Sequence, residues 1–262
     1  MSAISVNWVG KEERKVIAEQ HTRKMKNFYP RQINTSIIGT KIYGVIDDLP
    51  EVCSNRNPNM YISIVDEDSV SAIFNHRKGK TAVLNFASYK HPGGMFLNGS
   101  KAQEECLCHE SFLYNVLSDY ESTYYAWNKK NLNRSLYRNR ALYSPAIAFF
   151  KEGKSTLCDV ITCAAPNYTS AKKYCEVTKK ENTEALESRI KFILDIAAEN
   201  KVDTLILGAF GCGVFGQDPF EVASIFKKYL ETSHHIFDRV VFAIPSNKHN
   251  DNLEKFKLAF RK

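Results

Sequence analysis

The stretch whose reading decides the fold is Asn85 to Tyr114, NFASYKHPGGMFLNGSKAQEECLCHESFLY. It opens at the end of an apolar run, Thr81 to Phe86, which reads as a buried strand. Pro92-Gly93-Gly94 then makes a loop where backbone can approach a ligand closely, because glycine has no Cβ. Ser100, with Gln103 three residues on, predicts the cap of a helix from Lys101 to Ser118. Ala102, Cys106, Leu113, Val116 and Leu117 keep helical spacing and are expected on its inner face. Gln103, Glu104 and Glu105 fall in the first turn, at the mouth of the glycine loop. Acidic residues there also complement the helix dipole, so alone they define no site. Beside glycines able to hold an anion, they suggest acid–base chemistry on a phosphorylated substrate.

Working outward, strands and helices alternate from Met60 onward. Strands are expected at Met60–Val65, Thr81–Phe86, Pro145–Phe150, Thr156–Ala164, Asp203–Leu207 and Arg239–Ile244. Helices are expected near Ser69–His76, Glu184–Asn200, Pro219–Leu230 and Asn252–Phe260. The most periodic is the second of these, with Leu186, Ile190, Ile193, Leu194 and Ala197 on one stripe. Such alternation argues for a mostly parallel sheet with helices on both faces. The Lys151–Lys154 turn adds an antiparallel pair, so the sheet is mixed. Asp119–Tyr143 reads as a polar, Tyr-rich stretch and the segment after Tyr168 as a lysine-rich loop. Before Met60, Lys11–Phe28 predicts a polar helix with Val16, Ile17 and Met25 on its thin apolar face. Ile33–Val45 predicts one or two short strands, and Asp47–Asn59 a loop. Residues 1–59 therefore read as a helical extension packed on a core of residues 60–262, a single structural unit.

A second glycine loop follows the Asp203–Leu207 strand: Gly208-Ala-Phe210-Gly211-Cys212-Gly213-Val214-Phe215-Gly216-Gln217, then Asp218-Pro219. Asp218 suits an N-cap and Pro219 the first helical position. Strand, glycine loop and helix start form a cradle for a pyrophosphate. Gly211, Gly213 and Gly216 also spell G-x-G-x-x-G, the dinucleotide fingerprint. That fold needs an acid at the end of the next strand, and Ala243-Ile244-Pro245-Ser246 offers none. Cys212 has no histidine near it in sequence and reads as a small packed residue rather than a nucleophile. Phe215 either stacks on a ligand or plugs the core. Glu67 and Asp68 follow the first core strand, where they cap a helix or meet a ligand.

The two loops together resemble the microbial-type poly(ADP-ribose) glycohydrolases, a branch of the macrodomain superfamily. That family's pattern is a glycine triplet, a short spacer and Gln-Glu-Glu. Here it reads Gly93-Gly94-Met95, then Phe96 to Ala102, then Gln103-Glu104-Glu105, with Met95 in place of the third glycine. GAFGCGVFG is similar to the family's second phosphate loop, and Ile161 to Asn167 is also family-like, so the resemblance spans Met60 to Pro245. It implies a three-layer α/β/α macrodomain that hydrolyses ribose–ribose O-glycosidic bonds in poly(ADP-ribose), releasing ADP-ribose. It implies no metal and no cofactor. By the same resemblance Glu105 is the acid–base residue and Glu104 holds ribose hydroxyls. Gln103, Gly93, Gly94, Met95 and Asn85 border the substrate. The first glycine loop, with the second loop's Gly208, Phe210, Gly211, Cys212, Gly213, Val214 and Gly216, grips the diphosphate, Phe215 shapes the ribose end, and Glu67 and Asp68 lie toward the adenine. A reader of ADP-ribose that lost efficient catalysis with its third glycine, or a mono-ADP-ribosyl hydrolase, keeps the same ligand.

Composition narrows the remaining classes. Net charge is +7 over 262 residues, which favours an anionic partner without choosing one. The basic residues are scattered, and no helix-turn-helix, finger or RNA-recognition pattern appears. Seven cysteines, an odd number with no Cys-x-x-Cys, suggest neither a disulfide framework nor a zinc site. His91, His109 and the His234-His235 pair read as surface or core residues. The amino-terminal sequence lacks the apolar region of a signal peptide, and no apolar run approaches membrane-spanning length. The expectation is a monomer acting on poly(ADP-ribose) or an ADP-ribosylated protein, away from membranes. It is expected in the cytoplasm, or in the nucleus of a eukaryote.

Overall fold

The computed structural model describes residues 9–44, 57–232, 237–246, 248 and 250–261. Most of the loop expected over Asp47–Asn59, and the His234-His235 pair, lie outside the described residues.

Helix α1 (Lys11–Phe28) has the predicted bounds, but Ala18 and Met25 are its buried residues while Val16 faces solvent. Pro30 takes the first position of α2 (Pro30–Gly39), where its missing N–H is no loss. The strands expected over Ile33–Val45 reduce to β1 (Lys41–Tyr43). Ile33 and Ile37 are four apart and both pack on the core, which is helical spacing.

Then follow β2 (Tyr61–Val65), α3 (Ser69–His76) and β3 (Thr81–Phe86). The single helix predicted over Lys101–Ser118 is two, α4 (Gln103–His109) and α5 (Leu113–Leu117). Ala102, not Ser100, precedes the first, and its N–H donates to Glu105 Oε2 at 2.9 Å. The inner face of α4 carries Leu107 and Cys108; Ala102 is exposed and Cys106 half-buried. The first half of the Tyr-rich stretch is helical, through α6 (Ala126–Lys130).

Strand β4 (Ala141–Lys151) starts earlier than predicted, because Pro145 sits at a bulge where its missing N–H interrupts no regular pairing. Glu152 and Gly153, both at positive φ, turn it into β5 (Lys154–Cys163), as a two-residue hairpin requires. The lysine-rich loop contains α7 (Tyr168–Cys175). Helix α8 (Lys179–Glu199), β6 (Thr204–Leu207), α9 (Pro219–Thr232), β7 (Arg239–Ala243) and α10 (Asn252–Phe260) complete the order.

Among the described residues, seven strands form one sheet in the order β1-β4-β5-β3-β6-β7-β2. β5, β3, β6, β7 and β2 run parallel; β1 and β4 are antiparallel additions at one edge. Residues alternate across it, as a two-sided strand demands. Leu84, Leu205, Leu207 and Phe242 pack toward α8, α9 and α10, whereas Val83 and Ile206 pack toward α1 to α5. The result is three layers, with the carboxyl ends of five parallel strands along one edge. Open sheets of this kind bind ligands outside that edge.

Candidate active site

A cleft runs along that edge, built from the segments that follow all five parallel strands. One lobe, about 800 Å³, is lined by Asp66, Glu67, Asp68, Lys101, Cys106 and the Ala243–Ser246 segment, among others. The other, about 540 Å³, is lined by Ser88 to His91, Gly94, Met95, Glu104, Glu105, Tyr137, Asn167 and the second glycine loop. Phe86, Ala102, Gln103 and Ala209 border both, so the lobes meet at the end of β3.

The two carboxylates close the second lobe and are nearly buried. Glu104 Oε1 accepts from Asn85 Nδ2 at 3.2 Å and Oε2 from the Ser88 N–H at 2.7 Å. Burial pushes its carboxyl up to about 8, against the two hydrogen bonds and with help from the neighbouring Glu105 charge. Glu105 Oε1 accepts from the Met95 N–H at 2.8 Å and Oε2 from the Ala102 N–H at 2.9 Å. Gly94 lies against both. A Cβ there would stand 2.6 Å from Glu105 Oε1 and 2.8 Å from Glu104 Oε2, at a φ of +61°. Only glycine lets this loop carry its backbone across the carboxylates. Met95 has φ −109° and is 47% exposed, so the family's missing third glycine is neither strained nor a core residue.

The second glycine loop supplies the facing wall. The N–H groups of Phe210, Cys212, Gly216 and Gln217 close the loop on its own carbonyls. Those of Gly211, Gly213, Val214 and Phe215 find no acceptor among the described residues, and all four residues line the cleft. Unpaired backbone N–H groups on a cleft wall are donors that an anion can use. Gln217 fixes the loop from behind: its amide donates to Pro166 O at 2.8 Å and exchanges two 2.9 Å bonds with Asn182. Asp218 caps α9 through the Glu221 N–H at 3.0 Å, as expected.

Several predicted site residues serve the frame instead. The Gln103 amide oxygen accepts from the Phe86 N–H, and its nitrogen donates to Leu84 O and Ser69 Oγ, all within 3.0 Å. It borders the cleft but staples α4 to β3 and α3. Asn85 stands behind Glu104, away from the lining. Gly93 is packed under the Tyr114 ring and Cys108, and Gly208 against Ala243 O and the Phe86 ring. Gly216 abuts the Thr169 hydroxyl. The Phe210 ring is fully buried edge-on to Phe86, although its backbone borders the cleft. Cys212 lies off the lining; burial, with the nearby Asp218 charge, pushes its thiol far above the ordinary range, against a nucleophilic role. Asp68 caps α3 through the Ser71 N–H at 2.8 Å, and Glu67 accepts from Asn75 Nδ2 at 3.1 Å; both line the first lobe.

Phe215 belongs to an aromatic wall that sequence reasoning did not assemble. Tyr137 stacks on Tyr89 at 4.2 Å and meets Phe215 edge-on at 6.2 Å. Tyr137 comes from a left-handed turn in which Asn133, Arg134, Ser135 and Tyr137 all have positive φ. Outside glycine each such residue costs about 1–2 kcal/mol, a concentration of strain typical of functional sites. The only sequence signal was the run of Tyr and Asn in a stretch without periodicity.

Fold and cleft define a macrodomain: a mostly parallel α/β/α unit with a cleft and a glycine-rich loop outside the strand ends. The chain belongs to the family described as microbial-type PARG (poly(ADP-ribose) glycohydrolase), catalytic domain, whose profile matches residues 12–152, more than half of its length. The matched span includes α2, β1 and all of α1 but its first residue. Poly(ADP-ribose) glycohydrolase from Thermomonospora curvata superposes with a TM-score of 0.83 at 26% identity, over 95% of this chain and 100% of that one. The same enzyme bound to the inhibitor ADP-HPD gives 0.82 at 27% identity, with coverage of 95% and 100%. Poly(ADP-ribose) glycohydrolase from Deinococcus radiodurans in complex with ADP-ribose gives 0.80 at 30% identity, over 87% of this chain and 96% of that one. No curated protein sequence matches the chain. Among the described residues, no helix is long and apolar enough to cross a membrane.

Proposed function

We propose that this chain hydrolyses the ribose–ribose O-glycosidic bond of poly(ADP-ribose) and releases ADP-ribose. The observation that carries the reading is the pair Glu104-Glu105, closed over by Gly94 at one end of a cleft whose facing wall holds four unpaired loop N–H groups. Those N–H groups hold the diphosphate, and the first lobe takes the adenosine, with Glu67 and Asp68 at its rim. Phe215, backed by Tyr137 and Tyr89, shapes the ribose end.

Adjacent helical residues point about 100° apart, so the two carboxylates have different roles. Glu104, kept protonated by burial near neutral pH, holds ribose hydroxyls. Glu105 gives a proton to the departing ribose oxygen as the bond to the anomeric carbon breaks. It then takes a proton from the water whose oxygen joins that carbon, which restores it. Its two backbone donors, Met95 and Ala102, fix its orientation throughout. The extension that carries α1 and α2 forms a single unit with the core that begins near residue 60, and the protein acts as a monomer on poly(ADP-ribose) or an ADP-ribosylated protein.

Incubating the protein with purified polymer and separating the products by chromatography tests the reading. Free ADP-ribose is the expected product. Stabilisation by ADP-ribose without its release from polymer would favour a reader instead.

A further inference from the structure

We infer that Arg14, on the amino-terminal helix, is a positioning residue for the reaction at Glu105; the inference rests on the role given to Glu105 above. The segment from Met95 to Ala102 wraps that carboxylate. Its first N–H, from Met95, donates to Oε1 at 2.8 Å, and its last, from Ala102, to Oε2 at 2.9 Å. The direction of Glu105 is therefore set by the shape of this segment. The segment is folded tightly: Asn98 and Ser100 donate to Met95 O at 3.0 and 3.2 Å, and Gly99 to Phe96 O at 3.1 Å. Moving Gly99 moves Met95.

Arg14 holds the apex. Its Nε donates to Gly99 O at 2.7 Å while Nη1 donates to Val9 O at 2.5 Å. The helix start is seated so closely that a Cβ on Gly99, at φ +74°, would fall on the Lys11 carbonyl. Beneath the turn, the fully buried Phe96 ring lies 4.6 Å from His109, 5.2 Å from Tyr114 and 6.5 Å from His21 of α1. The remainder of α1 is anchored elsewhere. The His21 ring contacts Ser111 O at 2.7 Å, Asn115 Nδ2 donates to Thr22 O at 3.1 Å, and Ala18 and Met25 are buried. Losing the guanidinium thus frees the turn without undocking the helix.

The test uses the full chain with Arg14→Ala, Arg14→Met and Arg14→Lys. Methionine keeps the aliphatic stem and removes only the donors. Polymer turnover, KM, ADP-ribose affinity and melting temperature are measured on each. Arg14→Ala and Arg14→Met are expected to lower kcat about tenfold to a hundredfold, the scale of a sub-ångström to 1 Å misplacement. KM and ADP-ribose affinity stay near parent values, and Arg14→Lys, which can still donate to Gly99 O, recovers part of the loss. Parent-level kcat in Arg14→Met overturns the inference. So does a joint fall of kcat, ADP-ribose affinity and melting temperature, which is the pattern of a merely structural contact. A parent that releases no ADP-ribose, or a Glu105→Gln variant at parent rate, overturns the functional reading and this inference with it.

Discussion

Substituting Gly94 by alanine probes the closest approach in the site. At φ +61° an L residue pays about 1–2 kcal/mol for the left-handed conformation. On a chain of this size that lowers the melting temperature by about 2–8 °C. The new Cβ would also stand 2.6 Å from Glu105 Oε1 and 2.8 Å from Glu104 Oε2. Carbon and oxygen rest comfortably at about 3.3–3.6 Å, so both carboxylates must retreat. Both are tied by short bonds, to Ser88 at 2.7 Å, Met95 at 2.8 Å and Ala102 at 2.9 Å, and retreat stretches them. A misplacement approaching 1 Å costs about 10²-fold in turnover. Gly213→Ala is the matched control, because its Cβ would meet nothing within 4 Å and its φ lies outside the left-handed region. Its stability should stay within about 0.5 kcal/mol of the parent. Chromatographic release of ADP-ribose and thermal melting measure both variants. A Gly94→Ala protein with parent turnover, or a Gly213→Ala protein equally destabilised, would refute the reasoning.

Three further outcomes are expected. Met95→Gly should lose only about 0.5–1 kcal/mol through backbone entropy and keep parent turnover or exceed it, since Met95 is exposed at φ −109°; a large drop in melting temperature would contradict this. Gln103→Ala orphans Leu84 O and the Phe86 N–H, at about 1–3 kcal/mol per buried group, and should melt lower; an unchanged melting temperature would return Gln103 to the ligand. Glu104, with an ordinary value of 4.5 and a folded value of about 8, gains a proton on folding. Its contribution is full below about pH 4.5 and is lost as pH rises through about 8. Glu104→Gln, neutral throughout, should flatten the decline of stability across that window in denaturant melts; an unchanged slope would show that Glu104 is not its source.

The layered sheet was legible because its elements carry strong periodic signals. Thr81–Phe86 is a buried strand, and Leu186, Ile190, Ile193, Leu194 and Ala197 form one helical stripe, fully buried. What failed was local and polar. In α2 the four-residue spacing of Ile33 and Ile37 spans a single turn, too short a run to show as a period. Helix α7 and the turns leading to α6 have too few apolar residues to show a period. The two glycine loops were legible as loops, since clustered glycines after a strand interrupt both the helical and the strand period. Which glycine serves a ligand and which serves packing was not, because that depends on atoms brought from elsewhere. Gly93 meets Tyr114 and Gly208 meets Ala243, whereas Gly213 meets nothing. The Tyr89–Tyr137 stack and the Arg14–Gly99 bond join residues 48 and 85 positions apart, and no local pattern encodes them.

The most direct test of the account is polymer hydrolysis and ADP-ribose affinity measured on one preparation of Glu105→Gln. The substitution keeps the shape and hydrogen-bonding reach of the side chain and removes its exchangeable acid proton. If Glu105 is the acid–base residue, release of ADP-ribose falls by about 10²–10⁴ while affinity for ADP-ribose is retained, because the proposed diphosphate contacts lie away from this side chain. Hydrolysis near the parent rate would contradict the account and remove Glu105 from the reaction.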